Sequence, residues 1–213
     1  MTLPPLYIVG TGGFAKEVAQ LATMLNKARP RWSSIEYIAQ AGQALVTLPY
    51  GRIAGTDQIL DDLAHDAEVA IGVGESAIRD KISKRLASNP LLSFPNLAHP
   101  QVEIDETTVR MGRGNFFARG CVLTCDIAIG DHNLFNYNTT IGHDCQIGSC
   151  NVINPGANVA GHVVLGSSCL VGTGAQILAH LNVADKAIVG AGAVLTRSIT
   201  EPGIYTGVPA RKK

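Results

Sequence analysis

His143 followed by Asp144 is the pair in this sequence best suited to chemistry. A neutral imidazole takes up a proton readily near neutral pH, and a carboxylate that reaches its second nitrogen fixes the tautomer and raises its basicity. Such a pair deprotonates an attacking amine or hydroxyl. His162 and His180 stand eighteen residues apart and can be read as a metal site completed by His143, or as a polar ladder facing solvent. The ladder is preferred and no metal is expected, because the segment lacks a His-x-x-x-x-His spacing and any legible partner behind the ligands. His132, beside Asp131, has little to recommend it, and His65 and His99 fall outside the regular pattern described next. A second candidate is Gly10-Thr11-Gly12-Gly13-Phe14, a glycine run that joins a short apolar segment to an amphipathic one. Glycines there expose backbone N–H groups at the start of a helix, which suits the phosphates of a nucleoside diphosphate.

The elements that must carry these residues divide the chain in two. Residues 1–96 alternate apolar runs with helical patterns, as a parallel sheet with crossover helices requires. Strands are expected at 6–9, 35–38 and 69–73 and helices at 14–25 and 76–86, with Gly74 following the third strand. Residues 97–213 keep a period of six. From Asn115 onward the third residue of every hexad is apolar, from Phe117, Leu123 and Ile129 through to Leu195. Neither a 3.6-residue helix nor a meander holds that register, whereas hexapeptide repeats wound as a parallel β-helix do, three hexads to a coil. The third residue then points inward, the fourth is small where the chain bends, and the first also turns inward. Cys121, Cys145 and Cys169 take that first position and are read as core residues. With no CxxC pair among the five cysteines, neither a disulfide framework nor a structural metal is expected.

Lys+Arg and Asp+Glu both number 17, so the net charge is zero and a broad basic face for nucleic acid is excluded. With no signal-like start and no apolar run of membrane-spanning length, a cytoplasmic protein without membrane association is expected.

Taken together, the glycine loop, the hexads and the segment Gly142-His143-Asp144-Cys145 resemble the sugar O-acyltransferases of the sialic-acid O-acetyltransferase type. Within that group the chain looks most similar to the N-acetyltransferases of UDP-4-amino-sugars and related nucleotide amino sugars. The likeness runs over nearly the whole chain, including 70–75 with Ile78-Arg79 following, and 205–211. It implies a small Rossmann-like N-terminal domain followed by a left-handed parallel β-helix with a short C-terminal cap, assembled as a homotrimer. It also implies His143 as general base, Asp144 as its carboxylate partner and Asn136 near the same pocket. Acetyl-CoA, the co-substrate, would meet Gly161, Thr173 and Ala191, and the nucleotide-linked amino sugar would meet Gly10, Thr11, Gly12, Gly13, Phe14 and Gly74. Many members of the group have a histidine where this chain has Phe14, and paired aspartates where it has Ala39 and Gln40. Both are nucleotide-recognition positions. The rival readings are a sugar O-acetyltransferase and a β-helix scaffold without catalysis.

Overall fold

The computed structural model describes residues 3–42 and 48–213. The chain forms two compact units, Met1–Leu97 and Ala98–Lys213. Among the described residues no helix is long and apolar enough to cross a membrane.

The first unit is built on a five-stranded parallel sheet. Its elements are β1 (Leu6–Val9), α1 (Gly13–Ala28), β2 (Ile35–Ala39), β3 (Arg52–Thr56), α2 (Gln58–Asp61), β4 (Ala67–Ile71), α3 (Ser76–Leu86) and β5 (Leu92–Ser93), and the strands lie in the order β3-β2-β1-β4-β5. β1 pairs with β2 on one side and β4 on the other, so the winding reverses between β1 and β4. That reversal opens a crevice beyond the carboxyl ends of the two strands, where ligands bind in sheets of this kind. Leu6, Ile8, Ile38 and Val69 are buried as a parallel sheet covered on both faces demands. β4 ends at Ile71, two residues short of the expected boundary, with the Gly72 N–H making the last bond to β1, to the Val9 carbonyl at 2.8 Å.

The second unit is a left-handed parallel β-helix. Two-residue strands recur at each hexad, and each pairs in parallel with the strand eighteen residues away, as in Val122↔Thr140 and Ile129↔Ile147. Three sheets result. The third residues fill the core, with Phe117 and Phe135 stacked at 4.7 Å and nearly parallel, and Ile141, Ile153 and Val171 fully buried. Cys121, Cys145 and Cys169 are buried at the first position, and burial pushes the Cys169 thiol up to about 11. Asn115, Asn133 and Asn151 occupy first positions too. Each is buried, and its amide oxygen accepts the backbone N–H of the residue one coil on, Asn133, Asn151 and Cys169 respectively.

The bend does not sit at the fourth residue of the hexad but at the sixth. From Gly114 to Gly192 every sixth residue has φ between 55° and 78°, a left-handed conformation that glycine, asparagine, aspartate and histidine accept most readily. The fourth residue is small for another reason, since coils stack on it directly. A Cβ on Gly142 would lie 2.5 Å from the Gly161 nitrogen. The helix ends in a cap where Gly203–Thr206 pairs with Ala187–Val189 and with Arg211–Lys212.

Candidate active site

A prism with three residues' worth of corners per coil brings side chains together when they are eighteen residues apart along one edge, or adjacent in sequence at its bend. His143 and Asp144 are the fifth and sixth residues of one hexad, and so the two sides of one bend. Their neighbours on that edge are Cys125 and Asp126 one coil back, Gly161 and His162 one coil on, and His180 beyond. The backbone fixes this stack: Asp144 N–H donates to the Cys125 carbonyl at 3.2 Å, His162 N–H to His143 at 2.8 Å and His180 N–H to Gly161 at 3.1 Å.

His143 Nδ1 lies 2.7 Å from Asp144 Oδ2. With Nδ1–H donating to the carboxylate, Nε2 carries the lone pair, the tautomer a general base needs. The hydrogen bond from His143 holds the Asp144 carboxyl below the usual carboxylate range, with the His162 and His143 imidazoles adding to the effect. The His143 side chain is 54% exposed, so a substrate can reach it. Its ring lies over Gly161, whose absent Cβ leaves the space: a methyl there would meet Cε1 and Nε2 at 2.8 Å. His162 Nε2 stands 3.7 Å from the same Asp144 oxygen, a contact the preferred ladder reading of His162 did not include. Among the described residues, His143, Asp144 and His162 bring two imidazole nitrogens and a carboxylate oxygen within 4.8 Å of one another.

Asp144→Asn is expected to lower the transfer rate by roughly tenfold, because an amide holds the His143 ring and its Nδ1–H tautomer less firmly than the carboxylate does. Steady-state kinetics on both proteins check the loss.

The structure separates other expected members. Asn136, Thr173 and Ala191 lie on a second edge, where Gly192 N–H donates to the Thr173 carbonyl at 2.8 Å and Asn136 Nδ2 stands 3.5 Å from Asn154 Oδ1. Their offsets from His143 are not multiples of eighteen, so the chain does not bring them to it. His132 is buried on the third edge, away from His143.

In the first unit, Gly10, Thr11, Gly12, Gly13 and Phe14 run from the end of β1 into α1, which starts at Gly13 with no capping side chain. Gly10 has φ 111°, and a Cβ on it would press on the Gly72 carbonyl at 3.1 Å. Gly72 in turn admits α1, since a Cβ there would meet the Ala15 Cα at 2.7 Å. The loops after β1 and β4 therefore flank the crevice at the sheet's reversal, with Gly74 on the second loop. Arg79, buried on α3, donates from Nη1 to the carbonyls of Val73 at 2.9 Å and Gly74 at 3.2 Å. In the sequence Arg79 stands only within the Ile78-Arg79 pair that carries the resemblance, with no role attached. Arg79→Met is expected to cost about 1–3 kcal/mol by leaving those carbonyls without their donor, and to raise the KM for a ligand of this crevice more than it changes kcat; thermal unfolding and steady-state kinetics check both.

Residues 5–86 match the family model described as the PglD N-terminal domain. No curated protein matches the chain. Among solved structures, the acetyltransferase domain of PglB from Neisseria gonorrhoeae in complex with acetyl coenzyme A is 26% identical, with a TM-score of 0.90 over 99% of this chain and 100% of that one. WeeI from Acinetobacter baumannii is 28% identical, with a TM-score of 0.86 over 98% and 99%. PerB from Caulobacter crescentus in complex with CoA and GDP-perosamine is 25% identical, with a TM-score of 0.87 over 100% and 98%. The chain thus shares the whole of its fold, a Rossmann-like unit followed by a left-handed β-helix, with these acetyltransferases, and is an acyltransferase.

Proposed function

We propose that the chain transfers an acetyl group from acetyl-CoA to the amino group of a nucleotide-linked amino sugar. The observation that carries this reading is the hydrogen-bonded, half-exposed His143–Asp144 pair on the β-helix, in a fold shared with an acetyl-CoA complex of the PglB domain. PerB, held with CoA and GDP-perosamine together, supports a ternary complex. The crevice between the β1 and β4 loops takes the nucleotide, through the backbone of Gly10–Gly13 and beside Phe14 and Gly74. His143 removes a proton from the attacking amine, the nitrogen adds to the thioester carbonyl, and CoA leaves as the thiolate. The backbone N–H at Gly161 is the candidate donor to the oxyanion. No acyl-enzyme is needed. A homotrimer fits this reading, because Thr173 and Ala191 lie on a different edge from His143, and a neighbouring copy can present its second edge to the first, with acetyl-CoA in the groove. An intracellular role in surface-polysaccharide precursor synthesis follows from the resemblance.

The nature of the product tests the proposal. Incubation with acetyl-CoA and a nucleotide amino sugar is expected to give an amide, stable to hydroxylamine, and no acetylated protein by mass spectrometry. A hydroxylamine-labile ester would move the assignment to sugar O-acetylation.

A further inference from the structure

The repeat sets a second imidazole against the carboxylate that holds His143. Asp144 Oδ2 is 2.7 Å from His143 Nδ1 and 3.7 Å from His162 Nε2, and the His143 and His162 rings meet edge to face at 5.0 Å. The donor atoms of all three residues lie within 4.8 Å of one another. Two imidazole nitrogens and one carboxylate suit a borderline divalent ion such as zinc, cobalt or nickel, whereas magnesium and calcium prefer oxygen donors alone. A tetrahedral zinc with bonds of about 2.1 Å holds its ligand atoms about 3.4 Å apart. The two observed separations bracket that value, so small rotations of three half-exposed side chains reach it.

The scaffold prepares the arrangement. Asp144 and His162 both occupy left-handed bends, with φ 58° and 60°, and the coil-to-coil hydrogen bond from His162 N–H to the His143 carbonyl sets their spacing. His162 is further braced by a parallel stack on His180, 4.5 Å between ring centroids. Three side chains of the required chemistry therefore converge on one solvent-accessible point, leaving room for water to complete the coordination.

We infer that His143 Nδ1, Asp144 Oδ2 and His162 Nε2 form a binding site for a divalent transition-metal ion whose occupation silences acyl transfer. The ion takes the place of the proton that His143 donates to Asp144. A neutral imidazole coordinated through Nδ1 carries its one proton on Nε2, so the lone pair needed to accept the substrate's proton is gone. The silencing rests on His143 being the base, as proposed above; the binding does not.

Calorimetric titration of the chelator-treated chain with cobalt(II) chloride, alongside the ligand-field absorption of the bound ion, tests the binding. One ion per chain is expected for the wild type. His162→Asn, which keeps a residue suited to the left-handed bend, is expected to lose both signals, and His180→Asn, which removes only the stacking neighbour, to keep them. Absence of stoichiometric binding in the wild type, or equal binding by His162→Asn, overturns the site. Where chelated protein turns over substrate, added zinc is expected to reduce the rate at least about tenfold, reversibly with chelator, in the wild type but not in His162→Asn. Binding without inhibition overturns the silencing alone, and a chain with no transfer activity defeats the acetyltransferase reading while calorimetry still decides the metal site.

Discussion

His143→Ala is expected to lower kcat for acetyl transfer by roughly 10²–10⁴-fold, the usual contribution of a positioned general base. KM for acetyl-CoA and the thermal unfolding midpoint are expected to change little. The reasoning runs from position to effect. His143 is the fifth residue of its hexad, outside the core and half exposed, so truncation opens no cavity and strands no buried partner; surface changes of that kind stay within about 0.5 kcal/mol. Asp144 loses a hydrogen bond but keeps access to water. What disappears is the nitrogen that accepts the amine's proton during attack, an interaction that matters in the transition state rather than in the bound substrate. Steady-state kinetics separate the two cases, because a group used only in the transition state lowers kcat and kcat/KM together. A variant with normal kcat and raised KM would make His143 a binding residue.

Gly161→Ala is expected to cost roughly 100-fold in kcat while leaving stability nearly unchanged. Gly161 does not adopt the left-handed conformation that confines other glycines here, so alanine suits its backbone. Its new methyl would stand 2.8 Å from Cε1 and Nε2 of His143, closer than two carbon-bearing groups tolerate. An exposed imidazole gives way more easily than a stacked coil, so the ring swings outward and breaks its contact with Asp144. Displacement of a catalytic group by about 1 Å can cost two orders of magnitude. The double variant His143→Ala/Gly161→Ala is then expected to be no slower than His143→Ala alone, since both changes remove the same function. Independent, multiplying losses in that cycle would mean that Gly161 acts on the acyl donor rather than through His143.

Part of this edge could be read in the sequence and part could not. The apolar third residues, Phe117 to Leu195, gave the coil its period, and the eighteen-residue coil follows from that period. His143 and Asp144 were evident as neighbours in sequence. The approach of His162 to Asp144 is a consequence of the same spacing, since 144 and 162 differ by eighteen, but a bend expected at the fourth residue hides it. The composition of the sixth positions, with glycines at 156, 174 and 192 and histidine, aspartate or asparagine at 132, 138, 144 and 162, holds the signal for the true bend. Cys125, exposed one coil below His143, follows from it too.

In the first unit, β3 went unseen because Arg52-Ile53-Ala54-Gly55-Thr56 has neither an apolar run nor clean alternation. It is a strand through its pairing with β2 at the edge of the sheet, a tertiary effect. Arg79 was opaque for a similar reason. A charged residue in a helical pattern reads as solvated, and its burial under two loop carbonyls appears only once β4 and α3 are packed together. By contrast, the glycines at 10, 12 and 13 marked the strand-to-helix turn directly, because the chain must leave β1 through φ 111° at Gly10.

The most direct test of the central claim is thiol release from acetyl-CoA by the purified chain against a panel of UDP-, GDP- and dTDP-linked 3-amino and 4-amino sugars, with wild type and His143→Ala side by side. Turnover on a nucleotide amino sugar by the wild type and its loss in His143→Ala is the predicted result. Silence across the panel together with turnover of an unlinked hydroxyl sugar, or turnover that persists in His143→Ala, would contradict it.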